Sequence, residues 1–157
     1  MKGAAYKPGK YQQGAVLAEM ALVTPILVFV LVAIAELAHA FIEHNTLTKA
    51  VRSGARYVAA NAYEGTTGVV DVDATLINEA RNLVVYGSTA PAGGATPILP
   101  GLAVTDVSVV QLAGDDIEIS ASYTSGGLLG PVLPLFYGGG GINTTHNLQA
   151  TVTMRAL

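Results

Sequence analysis

The sequence predicts an α+β fold. A long N-terminal helix, its first half membrane-spanning and its second half amphipathic, packs on a small antiparallel sheet of about three strands, with one short extra helix. Three observations carry the prediction. Residues 20–35 hold no charged side chain, and about twenty such residues in a helix span ~30 Å, the hydrocarbon thickness of a bilayer. Small and aliphatic residues then recur at three- and four-residue steps from Leu47 to Ala62, the period of a helix with one apolar face. Residues 116–123 and 147–155 alternate apolar with polar, as half-buried strands do.

A chain of 157 residues accommodates one modest domain beside the span. It divides into a leader at 1–14, a transmembrane or assembly helix at 15–44 and an extracytoplasmic domain at 45–157. The absence of cysteine excludes a disulfide framework and thiol chemistry. Of the eight basic residues, Lys2, Lys7 and Lys10 precede the span; beyond Gly14 the remaining five face eleven acidic residues, a balance of −6. A short basic flank is held in the cytoplasm, so the bulk of the chain crosses to the other side. The acidic remainder lacks the basic footprint that nucleic acid requires.

Residues 1–14 are polar, basic and broken by Gly and Pro, with no hydrophobic period; they read as an unstructured cytoplasmic leader. The competing reading is a secretory signal peptide ending at the small-x-small run Ala38-His39-Ala40. Against it, the apolar run exceeds the ~7–15 residues of a signal core, and the helical pattern continues through the supposed cut.

Glu19 stands inside the entrance of the span. A carboxylate near hydrocarbon is costly and marks a functional position unless it snorkels to the headgroups. If the chain is cut after Gly14, Ala15 gains an α-ammonium, and Glu19 lies four residues on along the same helix face. The two charges can pair within one chain. Alternatively, the carboxylate of one subunit neutralises the terminus of its neighbour, which turns a desolvation penalty into a registry signal.

The basic leader, Gly14, Ala15, Glu19 at the fifth position after the glycine, and the apolar helix together resemble a type IV prepilin. The run Gly-Ala-Val-Leu-Ala-Glu-Met-Ala-Leu-Val-Thr-Pro-Ile-Leu, with the later Ala-Val-Arg-Ser-Gly-Ala-Arg-Tyr-Val-Ala, is similar to TadE-like pseudopilins of the tight-adherence (Tad/Flp) pilus. The similarity covers residues 14–60. It departs at Met20, where the family often has an aromatic residue. The resemblance implies a pilin-like architecture, cleavage between Gly14 and Ala15 by a membrane-embedded prepilin peptidase, and methylation. It implies residence in a bacterial inner membrane as a single pass with a cytoplasmic N-terminus, and incorporation into an extracellular fimbrium with a part in cell adhesion. The implied partners are other pilins and pseudopilins, the peptidase, the pilus assembly platform and the lipid bilayer. Flp major pilins have little beyond the helix, so a minor subunit fits better.

Pro25 lies inside the apolar run and cannot donate to the Ala21 carbonyl, so a kink or local opening is expected. It is either a tolerated membrane proline, with the Thr24 hydroxyl at hand for the freed carbonyl, or, by the pilin resemblance, a flexible point used on entering a filament. Glu36, His39, Glu43 and His44 sit where the helix leaves the membrane. Their spacing suits an interfacial polar face better than a metal site, because nothing completes a ligand set. Farther on, Leu47, Ala50, Val51, Gly54, Ala55, Val58 and Ala62 form one stripe. Lys49, Arg52, Ser53, Arg56 and Asn61 take the solvated face.

Residues 64–73 are turn-rich, and Asp73 or Asp71 can cap a second helix over residues 74–86, ended by Gly87. Its apolar face is Leu76, Ile77, Ala80, Leu83 and Val84. The two aspartates also resemble fragments of a calcium loop, but the rest of that loop is missing. After a Pro/Gly/Ala loop at 88–101, residues 104–112 read as a strand with an irregular middle, and Ala113-Gly114-Asp115 as a hairpin turn. Ile117, Ile119, Ala121 and Tyr123 point inward from the second strand; Leu148, Ala150, Val152 and Met154 share a side of the third. The helical stripe is the matching cover.

The apolar piece at 128–137 is either an exposed contact patch for a subunit or the membrane surface, or a lid on the core; the rarity of large bare apolar patches favours the lid. The glycines at 138–141 form a flexible loop without the strand and helix of a phosphate cradle, and Asn143-Thr-Thr matches a glycosylation acceptor only weakly. No nucleophile elbow, metal set or phosphate loop is present in the sequence. The expectation is a structural subunit with no cofactor and no catalytic residue. The alternative is a membrane-anchored or secreted extracytoplasmic binding module unrelated to pili, with a mature start near Phe41 in the secreted case.

Overall fold

The computed structural model describes residues 10–63, 70–134 and 140–156, the side chains of 10–13 and 134 excepted. Its order is a long helix α1 (Lys10–Asn61), a short helix α2 (Ala74–Tyr86), a 3₁₀ turn (Val104–Asp106) and five strands: β1 (Val107–Gln111), β2 (Asp116–Ser125), β3 (Val132–Pro134), β4 (Gly141–Asn143) and β5 (His146–Arg155). The expected α+β architecture is present, with β1-β2-β5 as an antiparallel three-stranded sheet.

α1 has 52 residues, a length of ~78 Å. It begins at Lys10 rather than at the leader boundary, so residues 10–14 are helical, not unstructured. It runs through Pro25 without interruption. Only its second half docks. Leu47, Val51, Gly54, Ala55, Val58, Ala59 and Ala62 are buried, while Lys49, Arg52, Ser53, Arg56 and Asn61 are exposed. Gly54 is required by close approach: a Cβ there would meet Val84 Cγ2 of α2 at 2.6 Å and Ile119 Cδ1 of β2 at 3.6 Å.

α2 has the expected ends. The Asp73 carboxylate accepts from the Leu76 N–H at 2.7 Å, satisfying one of the orphan amides of the first turn. Gly87 ends the helix at φ 72°, donating to the Leu83 carbonyl at 3.0 Å; the left-handed turn favours glycine. The buried face is Leu76, Ala80, Val84 and Val85, with Ile77 and Leu83 at its margin. Val85 joins it because the returning loop pairs there, the Ile98 N–H donating to the Val85 carbonyl at 2.8 Å.

In the sheet, Ile117, Ile119, Ala121 and Tyr123 of β2 face Met154, Val152, Ala150 and Leu148 of β5 across the ladder. All four β2 residues are buried. The first third of the strand expected at 104–112 is the 3₁₀ turn instead. There Asp106 Oδ2 accepts from the Ala103 N–H at 2.9 Å, a local bond that competes with the ladder. Leu112 N–H donates to the Asp116 carbonyl at 2.8 Å across the 113–115 turn.

The helix and β2 run in opposite directions, and their contacts can be followed along the axis. Glu36 meets Leu128 and Leu129, Glu43 meets Tyr123, Gly54 lies against Ile119, and Ala62 accepts from the Asp71 N–H. β3 and β4 form a separate two-stranded ribbon that the sequence did not announce. The apolar piece is no lid over its described part: Leu128, Leu129 and Val132 are all more than half exposed. Its residues 135–137 and the glycines 138–139 lie outside the described residues.

Candidate functional site

The first half of α1 stands clear of the domain. Every side chain from Gly14 to Leu31 is exposed, and this is where the helix is long and apolar enough to cross a membrane, with none of its most apolar window buried in the protein. A soluble domain does not leave such a surface bare. The segment is a candidate membrane anchor.

Gly14 is helical with open space around its Cα. Glycine costs a helix about 1 kcal/mol relative to alanine, so this is a weak point one turn inside the described N-terminus. Ala15 and Glu19 follow on the same uninterrupted helix, four residues apart and both exposed. Helical spacing stacks them on one face. Among the described residues Glu19 has no hydrogen bond or ion pair. The structure therefore keeps together the two positions singled out in the sequence, and none of the other described residues of the domain is bonded to them. Pro25 lies on the same exposed segment. The Lys2 and Lys7 flank lies outside the described residues.

The helix exit is built differently from the polar face expected there. Glu36 and Glu43 are buried at 6% exposure each, extending the docking stripe of α1 by two steps toward the candidate anchor. Glu36 clamps a loop: its Oε2 accepts from the Leu128 N–H at 2.9 Å and its Oε1 from the Leu129 N–H at 3.0 Å. Glu43 Oε1 lies 3.2 Å from the Tyr123 hydroxyl and 3.3 Å from His39 Nε2. The same hydroxyl lies 3.1 Å from the Pro100 carbonyl oxygen, and its one proton serves one acceptor at a time. Burial, and then the neighbouring Glu43 carboxylate, push the Tyr123 phenol up to about 12. His44 is exposed, and no group of three His, Cys, Asp or Glu converges among the described residues.

These two carboxylates are what sequence reasoning missed. Their spacing of seven residues, continued by Leu47 and Val51, was the available signal, because it places them on the docking stripe rather than opposite it.

Comparison with known proteins agrees with the position of these features. The TadE family model, described as TadE-like protein, matches residues 14–56. No curated protein and no solved structure matches the chain. The matched stretch begins at Gly14, takes in the bare half of α1 and both buried carboxylates, and ends inside the docked half. It includes none of the sheet. The chain thus carries a TadE-like segment.

Proposed function

We propose that this chain is a non-catalytic, prepilin-like minor subunit of a Tad-type pilus, cut after Gly14 and contributing to pilus assembly. The bare first half of α1 serves first as anchor in the inner membrane and then as packing surface among other pilins. The observation that carries this reading is a fully exposed apolar helix with one carboxylate a single turn from a Gly-Ala junction. The domain itself has no use for that surface.

The chemistry of the junction explains the arrangement. A lone acidic side chain at the edge of the hydrocarbon carries a desolvation cost, smaller than the ~2.5–3.5 kcal/mol of the bilayer centre. Cleavage creates an ammonium at Ala15 that can offset it, in the same chain or in a neighbouring subunit. A mismatched axial register would leave both charges unpaired, so the pair specifies register. Gly14 helps the peptidase, because the helix is weakest where the backbone must open for hydrolysis. The peptidase, the assembly platform and neighbouring pilins are the partners of this reading, and adhesion is exercised through the assembled pilus.

Mass spectrometry of the membrane-extracted protein from its own cells tests the proposal. A chain beginning at Ala15 is expected. A mature protein that retains Lys2, Lys7 and Lys10 contradicts it, and a start near Phe41 favours the secreted binding module instead.

A further inference from the structure

We infer that the loop carrying Leu128 and Leu129 is a second membrane contact, seated at the lipid–water boundary of the leaflet from which α1 emerges. The inference rests on α1 spanning the bilayer and goes beyond it, because the contact belongs to the folded domain.

Depth comes first. The charge-free run 20–35 is centred near Val28, and Glu36 lies eight residues on, ~12 Å along the axis. Half the hydrocarbon core is ~15 Å. Glu36 therefore sits just inside the boundary, and it holds the amides of Leu128 and Leu129 within 3.0 Å. The two leucines are at that level and point outward, 53% and 58% exposed. On α1, Leu37 is exposed at nearly the same height, and Phe41 is exposed ~6 Å farther out.

The loop's backbone is equipped for such a place. A peptide group in lipid must be satisfied within the protein. The amides of Leu128 and Leu129 are taken by the Glu36 carboxylate. The Gly130 N–H turns back to the Gly127 carbonyl at 3.4 Å. The Gly130 carbonyl accepts from the Thr144 hydroxyl, and the Pro131 carbonyl from the Thr144 N–H at 3.1 Å. A buried carboxylate that serves two loop amides explains why an acid interrupts the apolar helix at this position.

Charge is distributed to match. No Asp, Glu, Lys or Arg occurs between Glu118 and Arg155, and the loop beside Glu36, with its partner Thr144, belongs to this stretch. The opposite end carries Asp71, Asp115, Asp116 and Arg155, with Arg155 and Asp115 paired at 3.1 Å. A domain that met water equally at both ends would have no reason for this separation; one end facing a bilayer does.

The cysteine-free chain allows single-site labelling. Leu129→Cys, Leu128→Cys, Val28→Cys and Ala113→Cys, each carrying an environment-sensitive fluorophore, are reconstituted as full chains in phosphatidylethanolamine–phosphatidylglycerol vesicles. The vesicles contain lipids spin-labelled either high or low on the acyl chain. The probes at 128 and 129 should be quenched severalfold more by the shallow label than the probe at Ala113, and the probe at Val28 by the deep label. Probes at 128 and 129 that behave like Ala113 while Val28 is quenched overturn the loop contact and leave the span standing. Apolar emission at 129 that neither lipid label quenches means that protein covers the loop, and also overturns it. An unquenched Val28 removes the span itself, and the loop contact with it.

Discussion

Glu36 shows how one side chain can belong to two parts of the chain. Each of its oxygens accepts one loop amide, and bonds to a charged acceptor contribute ~1.5–3 kcal/mol each. Glu36→Ala should therefore release the loop. In the detergent-solubilised chain, hydrogen exchange at Leu128 and Leu129 should quicken by at least ~10-fold, with the β2 amides unchanged. Equal exchange in both chains would mean that the carboxylate holds nothing. Tyr123 makes a prediction in pH. Its phenol is raised to about 12 in the folded protein, above the ordinary value of ~10. A raised pKa means that the stabilisation is complete below ~10 and is lost as pH climbs toward the folded value. Denaturant stability should fall between those limits, and Tyr123→Phe should flatten part of that fall. Tyr57, raised by its bond to Glu79, also contributes and is present in both chains, so the difference between them isolates Tyr123.

At the scale of elements, α1 and α2 meet through a missing side chain. Gly54→Ala would return about 1 kcal/mol of helix propensity, but its methyl would press on the stiff, buried Val84, and overpacking costs ~1–3 kcal/mol. The expected net effect is a loss of up to about 2 kcal/mol in chemical denaturation, and a larger loss for Gly54→Leu; a stabilised Gly54→Leu would contradict the contact. This junction also shows what was legible in the sequence. The docked stripe, the Asp73 and Gly87 ends of α2 and the alternation of β2 and β5 are local patterns, and each survived into the structure. The β3–β4 ribbon was not legible, because three-residue strands rich in Gly and Pro carry no period. The start of the strand at 104 was lost to the Asp106 side chain, a local bond that alternation does not register. The burial of Glu36 was hidden for another reason: its partners lie more than ninety positions away, and only the antiparallel run of β2 along α1 brings them back. For the candidate assembly site the reverse holds. Gly14, Ala15 and Glu19 lie within about a turn and a half of one helix, so their proximity was available from spacing alone.

The whole molecule has an axis. At one end is a bare apolar helix with a single acid near its start; in the middle, the loop clamped by Glu36; at the far end, the pair of Asp115 and Arg155. The domain fixes the helix along half its length and leaves the other half bare, the surface that the proposed function has exchange lipid for protein neighbours. In the proposed assembly that exchange is where Glu19 acts, since it has no partner among the described residues and the new ammonium at Ala15 would give it one. Unpaired, it would weaken incorporation by the cost of a carboxylate at the edge of the hydrocarbon, below the ~2.5–3.5 kcal/mol of the bilayer centre, while an alanine there forfeits the attraction without harming insertion. The most direct measurement is the amount of Glu19→Ala protein in sheared pili relative to membranes, in cells that produce the pilus. The account predicts an unchanged membrane level and at least ~10-fold less protein in the pilus fraction. Equal incorporation of the two chains would contradict it.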